Sequence, residues 1–208
     1  MKYLSLLLLV STIAAGAARA DDRDEFSKNG VYFGIGASYG VPLFEPTLDN
    51  AFNGLGLDEK VSNAWGLNSR LGYRFHKYLA AEVEYEWLQH FGMRVGGASL
   101  GSVRLQTITA NLKAIAPYGH WQPYVLAGFG ATLARYSESS GSPLNVAPTS
   151  YSTRFGLGVD YYLTENIALN LGSEFVVNTA KISNDINGDE TSRGLDYFSA
   201  QGGLVFKF

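Results

Sequence analysis

The chain offers few residues that could carry out catalysis. Its three histidines are His76, His90 and His120, and none of its 208 residues is a cysteine. A hydrolytic site needs a serine nucleophile, a histidine base and a carboxylate that orients the histidine. Ser99 and Ser102 follow His90, but no His-x-Ser spacing occurs and nothing in the pattern indicates a triad. We therefore expect no catalytic residues, and the absence of thiols excludes disulfides and metal-thiolate sites.

Two other patterns are similar to ligand-binding motifs without matching them. Asp185, Asn187 and Asp189 have the spacing of the first three ligands of a calcium loop, but Glu190 stands where that loop needs glycine. Three pairs of glycines at alternate positions stop short of a nucleotide-binding G-x-G-x-x-G motif, namely Gly34/Gly36, Gly128/Gly130 and Gly156/Gly158. We therefore predict that the aspartates belong to a solvated acidic loop and that the glycines save space in a narrow interior. We expect neither a metal nor a cofactor.

Charged residues recur at alternate positions in otherwise apolar segments. The five cations and five anions are Arg70, Arg74, Lys113, Arg154, Lys207, Glu82, Glu84, Glu86, Asp160 and Glu174. Equal numbers favour a neutralised, hydrogen-bonded network, because a buried charge without a partner costs about 3–5 kcal/mol. If the turns at 163–165 and 76–78 are three-residue loops, Arg154 lies opposite Glu174 and Arg70 lies opposite Glu84.

These charges belong to eight segments in which apolar side chains alternate with polar residues or glycine, a period typical of β-strands. The segments are Val31–Gly40, Trp65–Phe75, Leu79–Leu88, Leu105–Ala116, Tyr124–Ala134, Thr153–Tyr162, Ile167–Val176 and Tyr197–Phe208. Each is close to the roughly 9–11 residues of a tilted transmembrane strand. One face is apolar with aromatic residues near its limits, as expected for contact with lipid, and the other suits a narrow lumen. A soluble all-β protein also alternates, so the period alone leaves that alternative open.

The connections between these segments alternate strictly between short and long. The short turns are His76–Tyr78, Pro117–Pro123 and Leu163–Asn166. The long loops are Val41–Ala64, Gln89–Arg104, Arg135–Ser152 and Val177–Asp196. Alternating turns and loops, with both termini on the short-turn side, are typical of outer-membrane barrels. A secreted β-sandwich protein has no physical reason to follow this alternation.

The amino terminus has the pattern of a secretory signal peptide. Lys2 precedes an apolar stretch, and Ala18-Arg19-Ala20 forms a small-x-small cleavage site, so we expect cleavage after Ala20. The mature chain then has 188 residues, with 14 basic against 19 acidic side chains. This excess of acidic side chains does not indicate the basic surface that binding to nucleic acid requires. Residues 21–29 are expected to form a disordered periplasmic tail, and residues 30–208 a single domain.

The carboxyl terminus resembles the signal by which the assembly machinery recognises outer-membrane barrels, with Gln201, Gly203, Phe206 and Phe208 in the characteristic places. Trp121–Val125 and Gly156–Tyr161 also have the character of one family. Over the whole mature chain, the sequence resembles the eight-stranded outer-membrane barrels of the OmpA-type transmembrane and opacity-protein group.

The resemblance implies an all-β, eight-stranded antiparallel up-and-down transmembrane β-barrel in the bacterial outer membrane. It implies periplasmic turns, extracellular loops, and a monomer whose partners are outer-membrane lipid, lipopolysaccharide and the barrel assembly machinery. Because the sequence ends at Phe208, we expect no cell-wall-binding domain after the barrel.

The family's fold leaves several functions open. We favour a lumen plugged by the charged residues, so that the protein is structural or acts through its loops. Phe44, Phe52 and Leu55 of the first long loop are candidate contacts with a surface ligand, although they could equally pack over the barrel mouth. The alternatives are a narrow porin-like channel and an enzyme that modifies lipid A.

Overall fold

The computed structural model describes residues 24–43, 59–95, 98–138, 145–146, 149–179, 181–183, 193–194 and 196–208. Three sets of predictions fall outside these ranges. They are the signal peptide with its cleavage site, the loop contacts Phe44, Phe52 and Leu55, and the acidic loop of Asp185, Asn187 and Asp189.

Twelve strands are formed by the described residues. They are β1 (Gly30–Pro42), β2 (Glu59–Val61), β3 (Ala64–His76), β4 (Leu79–Val95), β5 (Ala98–Ile115), β6 (Trp121–Glu138), β7 (Asn145–Val146), β8 (Thr149–Tyr162), β9 (Ile167–Asn178), β10 (Lys181–Ser183), β11 (Arg193–Gly194) and β12 (Tyr197–Lys207). Eight of them pair antiparallel in the order β4-β3-β1-β12-β9-β8-β6-β5, and β4 also pairs with β5, which closes the barrel. The predicted eight-stranded up-and-down barrel is confirmed.

The alternation of side chains places apolar residues outside the barrel and charged residues inside it. All ten charged residues predicted to point inward are buried, with exposed fractions between 0% and 7%. Large apolar side chains on the other face are exposed, for example Trp65 and Leu171 at 68% and 64%. This arrangement is the reverse of a soluble protein and agrees with an apolar band that contacts lipid.

The two ends of the barrel differ in their connections. At one end, called the short-turn end, the strands are joined by residues 77–78, 116–120 and 163–166, and β1 begins and β12 ends there. Gly119 lies in the second of these turns with φ of 63°, a conformation that glycine adopts without steric penalty. The opposite end, the long-loop end, carries the small sheet β11-β10-β7 and the strand β2, which pairs with β4.

The prediction of a second long loop over Gln89–Arg104 is wrong. Strand β4 continues to Val95 and β5 begins at Ala98, so the two strands form a long hairpin beyond the barrel. Their register shifts between Leu88 and Phe91, which is the mark of a β-bulge. The bulge interrupts the period-two pattern without ending the backbone pairing, and for this reason the sequence pattern suggested a loop.

The register across the turns follows one prediction and departs from the other. Arg70 lies opposite Glu84, as the short turn between β3 and β4 predicts. Arg154 lies opposite Val176 instead of Glu174, because Tyr162 pairs with Ala168 and the turn is longer than three residues.

The expectation of a disordered tail is wrong for its described part. Asp24–Ser27 forms a single turn of 3₁₀-helix, and the Phe26 and Ser27 side chains are buried at the short-turn end. Within the described ranges, no helix is both long and apolar enough to cross a membrane.

Candidate functional site: the barrel interior

Arg154 lies at the centre of a buried ion cluster, called here the central cluster. Its Nη1 donates to Glu84 Oε1 at 3.0 Å and to Glu174 Oε2, and its Nη2 donates to Glu86 Oε2 at 3.2 Å. Glu174 is on the neighbouring strand β9, whereas Glu84 and Glu86 are on β4, which β5 and β6 separate from β8. The arginine therefore spans the lumen and connects opposite walls of the barrel. Arg154 and Glu174 form an ion pair although they are not directly opposite in the sheet.

Arg70 joins the central cluster mainly through an amide. Its Nη2 donates to Gln201 Oε1 at 2.6 Å, while its distance to Glu84 Oε1 is 4.0 Å. Gln201 Nε2 in turn donates to Glu84 at 2.9 Å and to Glu174 at 2.8 Å. Gln201, predicted only as part of the assembly signal, thus also holds the cluster together.

Hydroxyl groups satisfy the remaining glutamate at the long-loop side of the cluster. Ser199 Oγ donates to Glu86 Oε1 at 2.5 Å, and the Tyr197 hydroxyl donates to Glu86 Oε2 at 2.9 Å. A row of hydrogen-bonded side chains continues around the wall through β5, β6, β8 and β9 and consists of Thr107, Thr132, Ser152 and Asn178. Hydrogen bonds of this kind offset the cost of burying ionised groups.

A second layer of charges lies nearer the short-turn end. Lys113 Nζ forms an ion pair with Asp160 Oδ2 at 2.7 Å and lies 3.7 Å from the centroid of the Tyr124 ring. Asn170 Nδ2 donates to Asp160 Oδ1 at 2.6 Å, and the Tyr32 hydroxyl donates to Glu82 Oε2 at 2.6 Å. The predicted network is therefore divided into two layers along the barrel axis.

The amino-terminal turn covers this layer from the short-turn end. Three donors converge on the Phe26 carbonyl oxygen, which accepts from Gln122 Nε2 at 3.1 Å, Lys207 Nζ at 3.3 Å and Arg74 Nη1 at 3.4 Å. The Phe26 ring packs against His120, with ring centroids 4.3 Å apart. Lys28 connects the segment to the turn between β8 and β9 by an exposed ion pair with Glu165.

Apolar residues fill the interior at both ends, although the alternating pattern of the sequence predicted a polar inner face. Those nearer the long-loop end are Leu88, Phe91, Val103, Leu105, Val176 and Tyr197. Those nearer the short-turn end are Phe26, Ala80, Ile115, Leu126, Tyr162, Ala168 and Val205. A signal was present, because Leu88, Leu126 and Val205 directly follow an apolar residue of the outer face. Such doublets indicate that the inner face has also become apolar.

The residues considered for catalysis are divided between the two ends of the barrel, with His76 and His120 at the short-turn end and the others on the β4–β5 hairpin. His76 is the last residue of β3 and not part of a turn, while His120 lies in a turn where its Nδ1 contacts the Tyr162 carbonyl at 2.6 Å. Ser99 and Ser102 belong to β5, and His90 belongs to β4. No three His, Cys, Asp or Glu residues in the described ranges are placed to hold a metal ion. The ion pairs and hydrogen bonds of the described interior can therefore stabilise the barrel electrostatically.

Known proteins with similar sequences and folds come from outer membranes. A family model described as the outer membrane protein beta-barrel domain matches residues 5–208. Outer membrane protein A of Serratia marcescens is 27% identical over 138 residues, which make up 61% of this chain and 36% of that protein. The chain thus spans little more than a third of the length of that relative.

Solved structures that share the fold include two outer-membrane or surface proteins. The outer membrane protein OprG from Pseudomonas aeruginosa has a TM-score of 0.65 at 17% identity, covering 88% of this chain and 98% of that one. Neisserial surface protein A has a TM-score of 0.55 at 20% identity, covering 86% of this chain and 97% of that one. At these identities, the likeness shows the fold alone.

Proposed function

The chain belongs to the outer membrane protein beta-barrel domain family, and on that premise we propose that its barrel is closed to ions and serves as a membrane-structural or surface-interaction protein. It resides in the bacterial outer membrane. In this family's pattern, short turns face the periplasm and long connections face the outside of the cell. The charged interior then has a structural role, and contacts with other molecules are made at the long-loop end.

The single observation that carries the closed lumen is the position of Arg154. It is fully buried and donates to glutamates on opposite walls of the barrel. An eight-stranded barrel is only wide enough for its interior to be filled by side chains. An ion crossing the barrel would have to break this cluster and leave buried charges unpaired, at a cost of about 3–5 kcal/mol for each broken pair.

Conductance measurements test the closed lumen. The purified protein is inserted into planar lipid bilayers, and the same preparation is run unheated and heated on a denaturing gel to show that it is folded. We expect no stable channels. Large, long-lived current steps from the folded wild-type protein would contradict the proposal and favour the alternative of a narrow channel.

The long-loop end supports a role in surface interaction. The β4–β5 hairpin and β2 continue the sheet beyond the barrel, and β10 pairs with both β7 and β11. The small sheet joins the connection between β6 and β8 to the one between β9 and β12. Paired backbone in these connections extends the long-loop end, and we propose Phe44, Phe52 and Leu55, which lie between β1 and β2 in the sequence, as contacts with a partner or lipopolysaccharide.

Exchange of loops tests the surface role. Residues 44–58 are replaced by a short hairpin in one variant, and residues 139–144 are replaced in a matched control. Adhesion of expressing bacteria to cultured epithelial cells is compared at equal surface levels of folded protein. We expect loss of adhesion only with the first variant, and unchanged adhesion would end the contact hypothesis for Phe44, Phe52 and Leu55.

An enzymatic role is not part of this proposal. The relatives are named as outer membrane or surface proteins and not for a reaction. Mass spectrometry of lipid A from cells with and without the gene tests the remaining alternative. We expect identical lipid A, and a change in acylation that depends on the protein would show that it modifies lipid.

A further inference from the structure

The two charge layers inside the barrel are individually unbalanced. The central cluster contains two arginines and three glutamates, namely Arg70, Arg154, Glu84, Glu86 and Glu174. The layer nearer the short-turn end contains three cations and two carboxylates, namely Arg74, Lys113, Lys207, Glu82 and Asp160. Equal totals along the whole barrel therefore conceal an excess of one positive charge in this second layer.

The excess resides on Arg74 and Lys207, because Lys113 is neutralised by Asp160. Arg74 donates to the Gln122 side-chain oxygen at 2.6 Å and to the backbone carbonyls of Phe26 and Lys77. Lys207 donates to the Phe26 carbonyl at 3.3 Å. All of these acceptors are uncharged, and neither cation takes part in an ion pair among the side chains that the structure describes, which do not include those of residues 24 and 25.

These cations line a cavity beneath the amino-terminal turn. Its wall is formed by Tyr32, Arg74, Lys113, Ile115, Asp160, Tyr162, Val205 and Lys207. The wall thus carries three cations and one carboxylate, and Arg74 also has a buried Nε without a hydrogen-bond partner among the described residues. The space is enough for about one water molecule.

We propose that this cavity is a binding site for one small monovalent anion of the size of chloride. A single negative charge would neutralise the excess of the layer, and buried cations are stabilised by such compensation. Guanidinium and ammonium groups donate hydrogen bonds to an anion that are stronger than those to a neutral carbonyl. A monatomic anion suits the room available, whereas phosphate or sulfate would have to displace the Phe26 turn.

Replacement of chloride by gluconate tests the site in solution. Folded protein in detergent micelles is unfolded with urea in sodium chloride or in sodium gluconate of equal ionic strength, because gluconate is too large for the cavity. The expected result is greater stability in chloride. At a chloride concentration ten times its dissociation constant, the ratio of folded to unfolded protein rises about elevenfold.

Two lysine substitutions provide the matched comparison. Lys207→Met removes the excess charge, so chloride and gluconate should then give the same unfolding curve. Lys77→Met removes an exposed lysine outside the cavity and should retain the full difference between the two salts. An equal chloride effect in both variants, or no effect in the wild type, would overturn the proposal.

Bromide soaks provide a second measurement that does not depend on the folding of a variant. Crystals of the wild-type protein soaked in sodium bromide should show an anomalous peak within hydrogen-bonding distance of Arg74 and Lys207. A cavity without that peak, or one filled by a carboxylate of the amino-terminal segment, would contradict the site.

Discussion

At the scale of single residues, Arg154 contacts three glutamates whereas Arg70 lies 4.0 Å from one, so their substitution should lower the stability of the barrel by unequal amounts. Arg154→Met leaves three glutamates without their shared cation and is expected to destabilise the barrel by about 3–5 kcal/mol. Arg70→Ala removes a hydrogen bond to Gln201 and a distant charge, with an expected loss of about 1–3 kcal/mol. Urea unfolding followed by heat-modified gel mobility measures both values. Equal losses would show that Arg154 is not the centre of the cluster.

Shortening Arg70 should not open a pore. The apolar layers of the interior, which include Leu88 and Phe91 at one end and Phe26 at the other, remain in place in the Arg70→Ala variant. Bilayer recordings with this variant are therefore expected to match the wild type. Stable channels in this variant alone would mean that the ion cluster is the sole barrier.

The aromatic ring of the amino-terminal turn should contribute measurably to stability. Phe26 is buried against His120 and Tyr162, so Phe26→Ala is expected to cost about 3 kcal/mol. The control is Phe75→Ala, since Phe75 is exposed on the outer face near the same end. Removal of Phe26 should also increase hydrogen exchange of the 116–120 turn, whereas the Phe75 variant should leave that exchange unchanged.

The identity of the buried charges could be predicted from the sequence, and their partners could not. Alternation identified all ten inward charges, because a residue's face follows from its position in a strand. Partners depend on register and on side-chain length, so Arg154 reaches Glu84 and Glu86 across the lumen without any local sequence signal. The role of Gln201 as a bridge between Arg70 and the glutamates was equally hidden.

At the scale of elements, the close approach of β5 and β6 should make one inward glycine indispensable. A Cβ added at Gly130 would collide with the Ile108 carbonyl oxygen and lie 2.7 Å from the Thr109 Cα. Gly130→Ala should therefore lower the folded fraction after refolding, because backbone atoms cannot move aside as a flexible side chain can. Gly202→Ala is the matched control, since its Cβ would only meet Leu171 Cδ2 at 3.5 Å. Equal yields for the two variants would contradict this reason for the glycine.

The strands were predictable within the membrane-facing part of the barrel and not beyond it. Lipid on one side and a polar lumen on the other impose strict alternation, which ends where the strand leaves the bilayer. Strands β4 and β5 continue past that point because backbone pairing needs no apolar face. Turn geometry was predicted for β3–β4 but not for β8–β9, where a longer turn shifts the register by two residues.

At the scale of the whole molecule, a cation on the outer face should be tolerated only outside the bilayer. Leu171 lies on the apolar outer face of β9, and Leu171→Arg is expected to cost about 2–4 kcal/mol if the residue faces the hydrocarbon core. Leu163→Arg is the control, because Leu163 is similarly exposed but lies in a turn at the short-turn end. Urea unfolding in lipid vesicles compares the two variants. A cost as small for Leu171 as for Leu163 would mean that the outer face does not contact lipid.

The architecture as a whole was predictable because three independent constraints agree on it. Alternation defines the faces, the parity of the connections places both termini at one end, and the carboxyl-terminal residues resemble a barrel assembly signal. The observed pairing of β1 with β12 agrees with all three. The apolar layers inside the lumen were missed, because pairs of consecutive apolar residues look like extensions of the lipid-facing side. In this chain such pairs occur at Trp87-Leu88, Val125-Leu126 and Leu204-Val205.

The wide reach of the Arg154 cluster has a consequence for the order in which the barrel assembles. Its ion pairs join residues 70 and 68 positions apart, and the hydrogen bond from Arg70 to Gln201 spans 131 positions. Contacts between such distant parts of a chain form slowly, because a large loop must close first. A partly built sheet would hold several carboxylates and no completed network, so half-folded intermediates should be short-lived and assembly should be cooperative. We therefore expect this network to be completed only when the last strand pairs, so that it favours the closed barrel over a partly built sheet.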